Sequence, residues 1–258
     1  MNSQSSPMLL SINELPPVRM LNTDGASPFL LIGDHAGNAV PQGLNMLGLP
    51  DAELGRHIGW DIGIAGLGER LSAALDAVFI SQTYSRLVID CNRDPKAPDA
   101  VPEVSDRTLV PANQGLSADG LAARVGEIHA PYHAAIASEL ARRDAAGMET
   151  ILVSLHSFTP AMQGIARPWQ IGILHAGGDA GFALALLRLL RARGDLTVGD
   201  NQPYAMDGID YTVPRHAFAA RRRYVEIEIR QDLLATSDQQ ASWSDLLAAQ
   251  LAIAAAAT

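Results

Sequence analysis

One apolar run constrains the fold of this chain more than any other feature. Thr150-Ile151-Leu152-Val153-Ser154-Leu155 is short, mostly apolar and without a polar stripe, and it stops at His156-Ser157-Phe158-Thr159-Pro160. Such a run reads as a strand buried on both faces. Similar runs recur at Pro28–Gly33, closed by Asp34-His35-Ala36-Gly37-Asn38, and at Ala77–Ser81, Leu87–Asp90 and Gln170–Leu174. Helical segments are expected at Ile62–Leu75, Asp119–Ala146, Ala180–Arg193 and Trp243–Ala257, with Pro131 kinking or splitting the second. Tyr224–Arg230 alternates charged and apolar residues, the period of a half-exposed strand. Strands alternating with helices predict an α/β fold with a mixed, mostly parallel sheet covered on both faces.

The chain has 258 residues, 48% of them hydrophobic, enough for one sizeable core. Residues 1–27 read as a lead-in and 28–258 as a single catalytic domain. Pro95–Ser117 holds four prolines, and a connection this long is usually functional or mobile. With 19 basic and 28 acidic residues the net charge is −9, which argues against nucleic acid as a partner. The basic run Arg221-Arg222-Arg223 reads as a solvated rim. A single cysteine, Cys91, excludes an internal disulfide and fits a reducing compartment. No basic leader segment and no run of roughly 20 apolar residues is present, so a cytoplasmic location without membrane insertion is expected. Oligomeric state is not legible.

In sheets of this kind the ligand site lies outside the carboxyl ends of the strands. The polar groups placed there are Asp34-His35, Asp90-Asn92-Arg93 and His156-Ser157, with Glu226 and Glu228 along the late strand. Two imidazoles, several carboxylates and a guanidinium suit a hydrolytic zinc site, which keeps about three protein ligands and a place for water. Each histidine taken alone reads more readily as a strand-end residue bonded to backbone, but two after two core strands would point to one edge of the sheet and support a shared site. Arg86 and Arg93 could pair with Asp90 or Asp94, or hold a substrate carboxylate through two bonds. His129 and His133 are four apart, but Pro131 between them favours a supporting role over metal binding. Cys91 reads as a small buried residue. No Gly-x-Ser-x-Gly elbow and no phosphate-binding glycine loop appears.

Taken in order, Asp34-His35-Ala36-Gly37-Asn38-Ala39-Val40-Pro41, Gly59-Trp60-Asp61-Ile62-Gly63, Ser85–Pro95, Pro131-Tyr132-His133, Leu155–Pro160 and Glu226–Leu233 resemble the N-formylglutamate amidohydrolase family. The resemblance implies a three-layer α/β/α fold like that of the zinc carboxypeptidases and aspartoacylases. It implies His35 and His156 as metal ligands, Asn92 and Arg93 at a substrate carboxylate, and Glu228 as general base. Arg86 and His133 are carried as further substrate-side candidates. Where the carboxypeptidase-like pattern has a glutamate three residues after the first histidine, this chain has Asn38. Asp61 is the preferred third ligand, with Asp34 and Asn38 behind it. Periodicity does not separate Glu226 from Glu228, since both share one face. The known deformylases carry Pro-His-Ser-Gly where this chain has Asp34-His35-Ala36-Gly37, which marks a separate branch. The expected activity is zinc-dependent hydrolysis of a linear amide on a small N-acyl amino acid such as N-formylglutamate. A short carboxypeptidase, another deacylase, or a non-catalytic small-molecule binder are the alternatives.

Overall fold

The computed structural model describes residues 8–258. Seven strands form one mixed sheet: β1 (Val18–Leu21), β2 (Phe29–Gly33), β3 (Val78–Gln82), β6 (Ile151–Phe158), β9 (Ile171–Leu174), β10 (Val198–Asp200) and β11 (Arg223–Arg230). Two small hairpins stand apart, β4–β5 (Val104–Ser105 and Thr108–Leu109) and β7–β8 (Ala161–Met162 and Ile165–Ala166). The sheet order is β1-β3-β2-β6-β11-β9-β10. The inner block β3-β2-β6-β11 is parallel, while β1 and β9 run antiparallel to their inner neighbours.

The helices are α1 (Asp51–Leu54), α2 (Ile64–Leu75), α3 (Ala118–Arg124), α4 (Ala130–Ala145), α5 (Gly181–Ala192) and α6 (Ser237–Ala256). Strand periodicity divides them between the two faces of the sheet. On β6 and β11, Ile151, Val153, Leu155, Val225, Ile227 and Ile229 share a core with Leu67, Phe182, Trp243 and Leu247 from α2, α5 and α6. Leu152 and Tyr224 join the opposite core with Ile136 and Leu140 of α4. Further along that second face, apolar residues give way to Ser154, His156, Glu226 and Glu228, all buried.

Four local expectations need correction. Tyr224–Arg230 is not half-exposed. β11 lies in the interior of the sheet, and its alternation separates a helix-packed face from a face of buried glutamates. Leu87–Asp90 is buried but is not a strand. The Leu87 carbonyl accepts from Asn113 Nδ2 at 2.9 Å and the Val88 carbonyl from Arg124 Nη1 at 2.8 Å, so side chains replace a neighbouring strand. β6 continues past Leu155 to Phe158, which places His156 inside the strand. Part of the lead-in is structured: Val18–Leu21 pairs with β3 at the sheet edge, and the amides of Leu9 and Leu10 donate to the Glu127 carboxylate at 2.8 and 2.7 Å. The first seven residues lie outside the described residues. Pro131 does divide its helical region, falling in the first turn of α4 after a wider π-type turn at Val125–His129.

The turn after β2 presents His35, and Gly37 lets it close. A Cβ on Gly37 would lie 2.0 Å from the Thr83 carbonyl oxygen and 2.3 Å from its carbon. Backbone bonds from Ala39 to the Thr83 carbonyl at 3.2 Å and from Ser85 to the Ala39 carbonyl at 2.8 Å then tie this turn to the segment after β3. Gly37→Ala should therefore cost about 1–3 kcal/mol, as overpacking against backbone does. A lowered urea midpoint at unchanged m-value checks this.

Candidate functional site

The turn after β2, the start of α2 and the C-terminal half of β6 meet above the sheet. His35, Asp61 and His156 are buried there, and one ligand atom from each falls within a 4.8 Å cluster. His156 Nδ1 donates to Asp61 Oδ2 at 2.9 Å, and His35 Nδ1 lies 3.5 Å from the same oxygen. The outer ring nitrogens are held by other groups. His35 Nε2 bonds Asp90 Oδ1 at 2.7 Å. His156 Nε2 lies 3.1 Å from Ser154 Oγ and 3.3 Å from Asp34 Oδ2. Arg86 completes the ring, donating to Asp90 at 2.7 Å and to Asp61 at 3.4 Å.

These contacts set the protonation of the group. Burial alone would neutralise the acids, but Arg86 and His35 hold Asp90 well below the usual carboxylate range. Burial likewise opposes ionisation of Asp61, and His35 and His156 outweigh it. Burial and Arg86 push His35 down, yet Asp90 and Asp61 raise it overall. His156 is raised by Asp34 and Asp61 against burial. His35 Nδ1 is buried with no hydrogen-bond partner, and so is Asp34 Oδ2. An unpartnered imidazole nitrogen beside a carboxylate and a second imidazole is a donor set that could hold a metal ion.

The group opens into a cavity of about 760 Å³ lined also by Arg93, Arg167, Tyr204, Glu226 and Glu228. Glu228 is level with His156 across the parallel β6–β11 pair, while Glu226 is level with Ser154. Burial raises Glu228 to about 8 and Glu226 well above the ordinary glutamate value. Gly172 on β9 lies opposite Glu228 in the register. A Cβ there would meet the Gln202 carbonyl at 1.9 Å, so its absence lets the segment leading to Tyr204 cross over β9 beside Glu228.

The profile of the N-formylglutamate amidohydrolase family matches residues 27–235. The chain belongs to this family. A gene product of Agrobacterium tumefaciens, known from its crystal structure, is similar with a TM-score of 0.92 at 35% identity over 96% of this chain and 98% of that one. The N-formylglutamate amidohydrolase of Ralstonia eutropha is similar in fold, with a TM-score of 0.65 at 22% identity over 93% of this chain and 97% of that one. No curated protein sequence matches significantly. Membership makes the chain an amidohydrolase-like enzyme on a single α/β domain.

Within this family member the residues singled out from sequence have different surroundings. His35, His156 and Asp61 converge. Asn38 instead donates to the Leu54 carbonyl at 2.7 Å. Asp34 accepts from Thr212 Oγ1 at 3.0 Å and faces the outer edge of His156. Asn92 lines the cavity, but its oxygen accepts from the amides of Tyr211 and Thr212 at 3.0 Å each, and its amide donates to Asp210 at 3.2 Å. Arg93 is paired with Asp99 at 2.9 Å at the cavity wall.

His133 does not line the cavity; it sits beneath it. Its Nε2 bonds the Cys91 carbonyl at 2.9 Å, its Nδ1 meets His216 Nε2 at 3.0 Å, and His129 Nε2 bonds the Arg93 carbonyl at 3.0 Å. A carbonyl needs a donor, so the His133 proton sits on Nε2 and its Nδ1 accepts from His216. Sequence reasoning missed Ser154, Arg167, Tyr204, Asp210 and Thr212. Ser154 sat in plain view inside β6, where the alternation that places His156 on one face places Ser154 there too. The others lie outside the strands of the central sheet, Arg167 just after the small β8 strand, and carry no local pattern.

Burial depresses His133 to about 3 and His216 to about 4. Both are neutral in the fold and free to charge when unfolded. Their stabilisation is therefore full above the ordinary imidazole value of 6.5 and is lost as pH falls towards their folded values. The unfolding free energy of the apoprotein should fall more steeply between about pH 6.5 and 4.5 in the native sequence than in His216→Asn, by up to about one proton's worth of slope. Urea titrations across that range check it.

Proposed function

We propose that this enzyme is a metal-dependent hydrolase of linear amides on small N-acyl amino acids, N-formylglutamate among them. One observation carries the reading. The Nδ1 edges of His35 and His156 face one carboxylate oxygen of Asp61, while their Nε2 edges are occupied by Asp90, Ser154 and Asp34. Metal-binding histidines are held in this way, with the outer nitrogen bonded so that the inner one is fixed in tautomer and direction. Two imidazoles and a carboxylate suit zinc, and they leave room for water and substrate. When bound, such an ion supplies Lewis acidity, polarising a carbonyl and acidifying water.

The chain's own residues supply the rest. Glu228 is the proton shuttle, because its register places it beside His156 and burial brings it to about 8, near the working range of a general base and acid. Glu226, two residues deeper, is held protonated by burial. Arg86 is fixed by Asp90 and Asp61 and places positive charge where an amide oxygen would gain negative charge. Arg93 holds a substrate carboxylate at the wall formed by Asn92, which positions Tyr211 and Thr212. Among the described residues no helix is long and apolar enough to cross a membrane. The single buried cysteine fits a cytoplasmic setting.

Zinc-loaded protein assayed against a panel of N-acyl amino acids tests the reading. His35→Ala and His156→Ala should each lose bound zinc and amidase activity, and retention of both would overturn it. Glu228→Gln should keep its zinc and lose roughly 100- to 10,000-fold in kcat. Asp90→Asn should weaken zinc binding roughly 10- to 100-fold, read by competition with a chelator.

A further inference from the structure

His57 lines the cavity, as do Ser105 and Asp106 of the β4–β5 hairpin. It stands on the same connection as Asp61. The Gly59 carbonyl between them accepts from the Arg86 amide at 3.1 Å and from the Ser85 hydroxyl at 2.7 Å, which fixes the connection to the segment after β3. The hairpin reaches His57 through a tight turn whose central residues, Asp106 and Arg107, both have left-handed backbone, with φ of 40° and 67°. Aspartate tolerates that conformation, and arginine adopts it at a cost. A chain of side chains holds the turn there. Arg56 donates to Asp106 Oδ2 and to Thr108 Oγ1 at 2.8 Å each, and Thr108 Oγ1 donates to Glu53 Oε2 at 2.7 Å. Asp106 Oδ2 is thereby set 3.4 Å from His57 Nε2.

His57 Nε2 is buried without a hydrogen bond, and Nδ1 is committed to no protein group among the described residues. Burial depresses the imidazole against the pull of Asp106, so the ring is neutral and keeps one proton. A ring lone pair facing a carboxylate oxygen would be repelled, so the proton sits on Nε2 and Nδ1 is an acceptor. The other charges that act most on His57 are those of Arg56, Arg86 and Arg167; Arg93, at the wall assigned to the amino-acid carboxylate, is not among them. Of these, Arg86 and Arg167 line the cavity, and guanidinium groups donate and cannot accept. His57 Nδ1 therefore sets an acceptor among donors. A group with an oxygen and an N–H on one carbon satisfies both.

We propose that His57, fixed by Asp106, binds the acyl end of the substrate and selects an acyl group that carries an N–H donor, as a carbamoyl group does, over formyl or acetyl. This rests on the amidohydrolase reading for which end of the ligand lies there, and on the cavity geometry for the acceptor.

N-carbamoylglutamate and N-acetylglutamate have the same shape and differ by an amino group in place of a methyl. Calorimetric titration of each into zinc-loaded Glu228→Gln protein reads the contact with turnover slowed. With His57 in place the carbamoyl ligand should bind roughly 2- to 10-fold more tightly, the range of one neutral hydrogen bond. His57→Leu should remove that preference and leave the acetyl ligand little affected. His57→Asn can present an oxygen near the position of Nδ1 and should keep part of it. Asp106→Asn can donate to Nε2, which permits the other tautomer, and should lose part of the preference at native zinc content. Equal affinities with His57 in place, an unchanged preference in His57→Leu, or equal weakening of both ligands overturns the proposal. Should His57→Leu fail to fold, an unchanged preference in Asp106→Asn overturns it. Protein with its native Glu228 that hydrolyses no N-acyl amino acid, yet shows the His57-dependent preference in binding, removes the amidohydrolase reading and keeps the contact. Hydrolysis with no His57-dependent preference does the reverse.

Discussion

The carboxylate of Asp61 accepts from His156 Nδ1 at 2.9 Å and from the Ser157 amide at 3.2 Å, while its own backbone amide donates to the His35 carbonyl at 2.9 Å. One residue thus ties the turn after β2, the entrance to α2 and the last half of β6. Everything else in the site is arranged around that tie. Asp90 and Asp34 fix the far edges of the two rings, and Arg86 balances the charge of two of the three acids. A buried acid costs several kcal/mol unless it is paired, so each of these carboxylates is stable only because its neighbours are in place. The site is consequently a single electrostatic unit, and none of its members is an independent substitution target.

How much of this was legible follows from where each signal lay. His35 and His156 stood out because apolar runs ended at them, which is the mark of side chains carried to a sheet edge. Asp61 precedes a helix and has no such mark; the ordered Gly59-Trp60-Asp61 motif pointed to it. Leu87–Asp90 misled because burial and strand pairing were treated as one signal. There the apolar side chains are buried, but the carbonyls go to Arg124 and Asn113, far off in sequence. The alternation of Tyr224–Arg230 suggests exposure, whereas it separates an apolar core from a polar cavity. Period-2 patterning reports two different environments, and it does not say that one of them is bulk water. Arg167 was illegible because its partners, Thr159 and Tyr204, with no acidic group among the described residues, come together only in three dimensions.

The buried histidines beneath the cavity show the same dependence on distant partners. His133 and His129 bond the carbonyls of Cys91 and Arg93, and Thr212 Oγ1 lies 3.2 Å from the Cys91 carbonyl. The segment Asp90–Asn92 is irregular and buried and Arg93 is half-buried, so their polar backbone groups need partners that no strand provides. Neutral imidazoles serve because they donate in a fixed direction without adding charge beneath an already charged site. The motif Pro131-Tyr132-His133 is thereby explained as scaffolding for the loop that carries Asn92 and Arg93.

The reversal of chain direction at β9 has an evolutionary consequence. β2, β6 and β11 bring their ends to the site, but β9 begins there, so the connection from β6 to β9 arches over the cavity instead of passing behind the sheet. That connection holds the β7–β8 hairpin and Arg167. It can lengthen, shorten or change its residues without shifting the register of any strand or the placement of His35, Asp61 and His156. Selection can therefore act on what the enzyme accepts while leaving how it cleaves untouched, and divergence among relatives with this topology should concentrate in that arch.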